Sequence, residues 1–212
     1  MKRKFALPLI LILIASFSFT GCIIQDDNYN QQPGNGSTGY YYLFNEDFNA
    51  DNRGWSFDDP IDSAYALVTN GAYKFVDYSY AGGYNLAVVP TGAVTHRNFL
   101  VQTRLKSNYA MALIFGASNN DFGYSLYLDE QGYFAVYKEG YPSQTIIDWQ
   151  YNSAITAGWN DVELEQIDGY WYGYVNNVKI FQTPARSLSG NQFGFMVLPG
   201  TTGYADFLTV KW

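Results

Sequence analysis

The 212-residue chain has one cysteine and one histidine. A single Cys cannot form an intramolecular disulfide, and one Cys with one His cannot build a zinc finger, an iron–sulfur cage or a histidine-rich zinc site. Charge is scarce, at 15% of residues, and only 12 of the charged side chains are basic against 19 acidic. That leaves a formal charge of −7 and no basic stripe for phosphate, so nucleic acid is excluded as a partner. No Gly-x-Ser-x-Gly elbow, P-loop, Rossmann glycine pattern or metalloprotease helix is present. The lone imidazole, His96, sits in Thr95-His96-Arg97 between strands with no Ser selected by spacing, and it reads as a surface loop residue. What the chain has in excess is rings: 20 Tyr, 15 Phe and 5 Trp, 19% of the sequence, which rules out disorder. Any chemistry must therefore come from carboxylates, amides, hydroxyls and aromatic faces.

The first residues read as an address. Lys2, Arg3 and Lys4 precede a mostly apolar run from Phe5 to Phe19, and Thr20-Gly21 places small residues before Cys22. The run is too short for a stop-transfer helix and carries Pro8, which argues for a secretory signal over an uncleaved anchor or a buried helix. The segment resembles a bacterial lipobox, which implies cleavage after residue 21 and acylation of Cys22. It departs from that pattern at Phe19, where the family has Leu or another aliphatic. Acyl chains contribute about 0.8 kcal/mol per buried methylene, so several would hold the protein on a membrane. Ile23 stands where an Asp resembles an inner-membrane retention signal, so the expected location is the bacterial cell envelope at the outer membrane. Removing residues 1–21 takes away three basic side chains and leaves 9 positive against 19 negative, a formal −10. Residues 22–39 hold the lipidated Cys and a stretch of amides, Gly, Ser and Thr without apolar periodicity, a tether reaching about 20–25 Å.

From residue 40 to 212 no stretch has helical period, and Gly, Asn and Asp pairs punctuate the chain at sandwich-like intervals. Strands are predicted at Tyr65–Thr69, Ala72–Val76, Phe99–Lys106, Met111–Ala117, Tyr124–Leu128, Tyr133–Lys138, Thr145–Trp149, Asp161–Ile167, Trp171–Val175, Val178–Gln182, Phe193–Leu198 and Ala205–Lys211. Asn70-Gly71 and Asn176-Asn177 supply left-handed turn residues for two of the hairpins. So many strands with no helix between them imply an all-β, antiparallel two-sheet jelly-roll sandwich.

Short patterns then carry a resemblance. In order they are Asn45-Glu46-Asp47-Phe48 with Gly54-Trp55, Ala112-Leu113-Ile114-Phe115, Phe122-Gly123-Tyr124-Ser125-Leu126 and Gln131-Gly132-Tyr133-Phe134. After them come Trp159-Asn160-Asp161-Val162-Glu163-Leu164, Tyr174-Val175-Asn176-Asn177, Gly190-Asn191-Gln192-Phe193-Gly194 and Ala205-Asp206-Phe207-Leu208. Residues 44–212 resemble the concanavalin A-like lectin/glucanase superfamily, specifically laminin-G-like jelly rolls related to family 16 glycoside hydrolases and the 3-keto-disaccharide hydrolase domain. That fold hosts lectins, hydrolases, lyases and adhesion modules, so it leaves function open.

Three sets of residues are candidates for function. Glu163-Leu164-Glu165-Gln166-Ile167-Asp168 resembles the Glu-x-Asp-x-x-Glu signature of family 16, and alternation places Glu163 and Glu165 on one strand face about 6.5–7 Å apart. Its last acid is Asp, at a turn, so two solvated acids on an outer face are the favoured reading and no catalysis is expected. The resemblance implies a structural calcium joining the first and last strands, with Asp47 and Asp206 as its ligands; no other cofactor is called for, and Asp is also an ordinary turn residue. Rings bind sugars by stacking on pyranose faces while amides and carboxylates take the hydroxyls. Most of the forty rings are core, but Tyr78, Tyr80 and Tyr84 around Gly82-Gly83, with Tyr141, Trp149 and Tyr151, lie outside the clearest strands or near their ends. The expected function is that of a lipid-anchored, lectin-like domain of the cell envelope that binds a polysaccharide or other glycan without catalysis. A glycoside hydrolase or polysaccharide lyase acting through Glu163 and Glu165, and an adhesion or protein-interaction module, are the alternatives.

Overall fold

The computed structural model describes residues 41–80 and 83–212, and the signal segment 1–21, Cys22 and the tether 22–39 lie outside the described residues. The described residues form fifteen strands and no helix. In chain order they are β1 (Tyr42–Glu46), β2 (Phe57–Asp59), β3 (Ala64–Thr69), β4 (Ala72–Asp77) and β5 (Asn85–Pro90). Next come β6 (Phe99–Ser107), β7 (Ala110–Ala117), β8 (Tyr124–Asp129), β9 (Tyr133–Lys138) and β10 (Gln144–Tyr151). The last five are β11 (Asn160–Ile167), β12 (Tyr170–Val175), β13 (Val178–Pro184), β14 (Gln192–Val197) and β15 (Thr202–Lys211).

They make two antiparallel sheets. The nine-stranded sheet runs β13-β12-β11-β6-β15-β4-β3-β2 with β1 added off this path beside β15, and the six-stranded sheet runs β10-β9-β8-β7-β14-β5. The long β15 shifts register between Ala205 and Leu208, so its first half pairs with β4 and its second half with β1. Three hairpins turn on adjacent left-handed residues: Asn70-Gly71, Asp168-Gly169 and Asn176-Asn177 all have positive φ. Their twist matches that of the flanking strands, which is why these dipeptides fix register.

Between the sheets lies an aromatic core. Phe48, Trp55, Tyr73 and Phe195 pack against one another at one end, and Phe115, Tyr124 and Trp171 do so at the other, with ring centroids 4.7–6.1 Å apart. Gly173 on β12 is required by this packing, because a Cβ there would stand 2.0 Å from the Phe181 ring. The carboxylate of Glu46 is buried beneath the core edge, where it accepts hydrogen bonds from the Phe48 N–H and Trp55 Nε1 and pairs with Arg53 Nε at 3.2 Å. A buried charge needs such partners, and here they tie β1 to the following loop.

Each predicted strand is present, with ends shifted by three residues at most. β1, β2 and β5 are not among the predicted strands, β1 being only 5 residues long. Phe57-Asp58-Asp59 is short and acidic, and Asn85–Pro90 is a half-buried edge strand ending in proline, so neither shows the alternation that marks a strand.

Candidate sugar-binding face of the six-stranded sheet

Alternation decides what each face of a strand carries. On β7, Met111, Leu113 and Phe115 enter the main core, whereas Ala112 and Ile114 point to the opposite face of the six-stranded sheet. There they join Ala117, Tyr127 and Met196 in a second apolar cluster, against which Tyr84, Leu86, Val88, Tyr137 and Leu198 pack. This outer face is therefore floored by aliphatics and capped by rings. Tyr127 touches Trp149 at 5.8 Å and Tyr137 at 5.9 Å, and its hydroxyl donates to Met196 Sδ at 3.6 Å. Burial first, then the Glu139 carboxylate, drives the Tyr127 phenol well above its ordinary pKa.

At one end the face opens into a depression of about 310 Å³ between the β2–β3, β4–β5 and β9–β10 connections. Its wall is the pair Tyr84 and Tyr141, whose rings lie parallel within 6° with centroids 5.9 Å apart. Phe122, from the β7–β8 hairpin, stands edge-on to both, each at 5.9 Å. Gly83 permits this approach: a Cβ there would meet the Tyr141 hydroxyl at 3.0 Å. The floor is polar. Asp77 is 2% exposed, and its Oδ1 accepts from the Ser79 N–H at 2.8 Å and the Ser79 hydroxyl at 2.6 Å. Its Oδ2 accepts from Asn85 Nδ2 at 2.9 Å, which also donates to the Asp62 carbonyl at 3.2 Å.

Beneath the ring pair sits Glu139, 5% exposed, accepting from the Ser125 hydroxyl at 2.5 Å and the Ser143 hydroxyl at 2.9 Å. Burial foremost, with Glu139 and Tyr141 next, pushes the Tyr84 phenol up to about 12, so it remains a neutral donor at physiological pH. The hairpin carrying Phe122 is clamped by the Asp121–Lys138 ion pair. Burial opposes ionisation of Asp121, but hydrogen bonds from Lys138 and the Gly123 N–H outweigh it and lower the carboxyl's pKa.

Of the six ring residues singled out from sequence, the structure brings Tyr84 and Tyr141 into direct contact and connects Trp149 to the same face through Tyr127. Tyr151 lies at the opposite end of β10, paired in register with Tyr133 and against its ring at 5.6 Å. Tyr78 and Tyr80 flank Ser79 on the pocket rim, exposed to 46% and 103%, and enter no ring pair among the described residues. Phe122, Asp77, Asn85 and Glu139 were not singled out. Asp77-Tyr78-Ser79 carried the available signal, an Asp two residues before a hydroxyl residue, which is the pattern of an Asx turn.

Glu163 and Glu165 lie half-buried on the outer face of the nine-stranded sheet, opposite Tyr174 and Tyr172. Glu163 Oε2 accepts from Gln102 Nε2 at 2.7 Å, and Gln102 Oε1 accepts from Lys211 Nζ at 2.7 Å, so that carboxylate belongs to a chain crossing three strands. A depression of about 570 Å³ there is lined by Glu163, Asp161, Gln102 and Tyr174 but not by Glu165. Burial first, then the Glu165 and Glu163 carboxylates, raises the Tyr174 phenol.

The expected calcium pair, Asp47 and Asp206, meets other partners in the structure. Asp47 spends both oxygens on its neighbour, accepting from the Asn49 N–H at 3.1 Å and Asn49 Nδ2 at 2.8 Å, while Asp206 faces the Arg104 guanidinium at 3.6 Å. Among the described residues no group of three His, Cys, Asp or Glu side chains converges to hold a metal. His96 is exposed in the loop before β6.

No family model matches the chain. No curated protein matches it in sequence. Solved structures do match in fold. The chain is similar to the CBM2 module of the evolved Dit of Lactobacillus casei BL23 phage J-1, with TM-score 0.55 and 12% identity over 82% of this chain and 96% of that one. It is also similar to a GlcNAcα1-4Gal-releasing endo-β-galactosidase from Clostridium perfringens, with TM-score 0.50 and 11% identity over 85% of this chain and 65% of that one. A carbohydrate-binding module, CBM66 from Bacillus subtilis, overlaps 82% of this chain and 96% of its own at TM-score 0.49 and 14% identity. The first two likenesses agree with the fold, an antiparallel two-sheet jelly-roll β-sandwich.

Proposed function

We propose that this protein is a carbohydrate-binding domain that holds a glycan on the outer face of the six-stranded sheet, with Tyr84 and Tyr141 as its stacking platform. The observation that carries this reading is the parallel ring pair standing over the Asp77–Asn85 floor. An apolar sugar face stacks on such a ring, and the adjoining carboxylate and amide suit its equatorial hydroxyls. Binding modules and a glycosidase of the same fold support the ligand class.

The domain binds without catalysis. Hydrolysis by paired carboxylates needs both groups flanking one bond, whereas Glu165 does not line the depression on its sheet, and the two carboxylates that do are engaged, Glu163 by Gln102 and Asp161 by Arg104. The protein is carried to the bacterial cell envelope by the segment 1–21 and held at the outer membrane by lipid on Cys22, so that the sugar face is displayed at the end of the tether 22–39.

A panel of neutral oligosaccharides tests this directly. At least one is expected to bind, with no new reducing ends after prolonged incubation. Products that form with the wild type and vanish in Glu165→Gln would make the protein an enzyme. Absence of any glycan ligand, with a protein partner retained instead, would make it an adhesion module.

A further inference from the structure

The basic residues of this acidic chain are concentrated on the other sheet. Lys74 on β4, Tyr204 on β15 and Lys106 on β6 occupy one cross-strand row: Tyr204 is in register with Lys74 on one side and with Lys106 on the other. Directly opposed residues of antiparallel strands share a face, so all three project from the outer surface of the nine-stranded sheet. Two strand spacings separate the lysines, about 10 Å. Rings hold both. Lys106 Nζ lies 4.6 Å from the Trp159 ring and 4.8 Å from the Tyr204 ring, and Lys74 Nζ lies 5.4 Å from the Tyr65 ring and donates to its hydroxyl at 3.1 Å.

Ring contacts orient an ammonium without neutralising it. The acids nearby are already engaged: Asp161 and Asp206 pair with Arg104, and Glu163 accepts from Gln102. Neither Lys74 nor Lys106 takes part in an ion pair among the described residues. We infer that this row is a second binding site, for an anionic polysaccharide of the polyuronate class lying across the strands. Lys74 and Lys106 take carboxylates on either side of Tyr204, while the Tyr204 and Trp159 rings, against which Lys106 Nζ lies, hold that ammonium in place. The overall negative charge does not oppose this, because at physiological ionic strength fields are screened within about 8 Å and the local pair dominates.

The site is independent of the Tyr84–Tyr141 pocket, and the controls separate the two. Full-length protein in detergent micelles is titrated with polygalacturonate oligomers and with their methyl esters, which keep the rings and lose the charge. Polygalacturonate is expected to bind, weakening severalfold with added salt, while the esters bind far less well. The Lys74→Gln/Lys106→Gln double variant is expected to lose about tenfold in affinity, the Lys→Arg pair to retain most of it, and Tyr141→Ala to leave it unchanged. Melting temperatures and neutral-glycan binding check that the variants are folded. Equal binding of acid and ester, or of wild type and the double Gln variant, overturns the proposal. Anionic phosphatidylglycerol vesicles that bind through these lysines when polygalacturonate does not would assign the row to a lipid surface and overturn it as well.

Discussion

Tyr141 offers the sharpest test of the sugar-binding face, because its role in folding and its role in binding are separable. The ring is 76% exposed, and its contacts in the free protein are the Tyr84 stack and the edge of Phe122. Truncation to alanine removes little buried surface, so the folding cost is expected to stay within about 1 kcal/mol, the scale of one aromatic pair. A pyranose covering one face of the ring hides about 60 Å² of apolar area, which at about 25 cal/mol per Å² is about 1.5 kcal/mol. Isothermal titration with whichever neutral glycan binds is therefore expected to show about tenfold weaker affinity for Tyr141→Ala, with a melting temperature close to wild type. Tyr141→Phe keeps the ring and is expected to keep most of the affinity. Tyr151→Ala is the matched control, since that side chain lies at the other end of β10 against Tyr133. An unchanged affinity in Tyr141→Ala, or an equal loss in Tyr151→Ala, refutes the stacking platform.

The polar floor predicts that Asp77→Asn, which sets an amide N–H against one of three donors, destabilises the fold by about 2 kcal/mol and abolishes glycan binding, as read from thermal melts and titrations. Gly173→Ala drives a methyl into Phe181 and is expected to cost about 1–3 kcal/mol, part of which Phe181→Leu recovers in the double variant by making room. The Tyr84 phenol is raised from 10.0 to about 12, so the stability it contributes is complete below pH 10 and is lost as pH rises towards 12; Tyr84→Phe should flatten that part of the alkaline melting profile. Asp121 is lowered below 3.8, so its contribution is present above that pH and is lost as pH falls through the folded value; Asp121→Asn should remove this part of the acid dependence in melting curves.

Legibility from sequence followed how local each constraint was. Asn70-Gly71 and Asn176-Asn177 set their hairpins through backbone preferences of two residues, and both turns have the expected left-handed conformation. Asp168-Gly169 does the same, which is why the Glu163–Asp168 acids cannot all share one strand face. Along β12, alternation buries Trp171 and leaves Tyr170 exposed. By contrast, the site is assembled from four connections remote in sequence. Tyr84 and Tyr141 meet because β5 and β9 lie at opposite ends of the path β9-β8-β7-β14-β5 and their connections fold over the face towards each other. No local pattern encodes that meeting. The same limit applies to Asp47 and Asp206: which neighbour each carboxylate meets depends on Asn49 beside one and Arg104 on β6 beside the other.

The two sheets divide the labour of a ring-rich chain differently, and the difference follows from what lies under the rings. On the six-stranded sheet the rings rest on Ile114, Met196 and Ala112, so they form a continuous apolar floor with a buried carboxylate at Glu139, and Asp77 at the end of β4 adds buried oxygens where the depression opens. A neutral sugar loses little water there and gains stacking area. On the nine-stranded sheet the rings alternate with charges across strands, Tyr204 between Lys74 and Lys106 and Tyr174 opposite Glu163, so each ring is fenced by ions that stay hydrated. Such a surface repels an uncharged apolar ligand and favours one whose own charges match the row. If both proposed sites bind, selectivity between neutral and anionic glycans is a property of which sheet is used. Exchanging Lys106 for Leu should therefore weaken polygalacturonate binding without creating a neutral-glycan site, because Arg104, Asp161 and Asp206 keep that face wet.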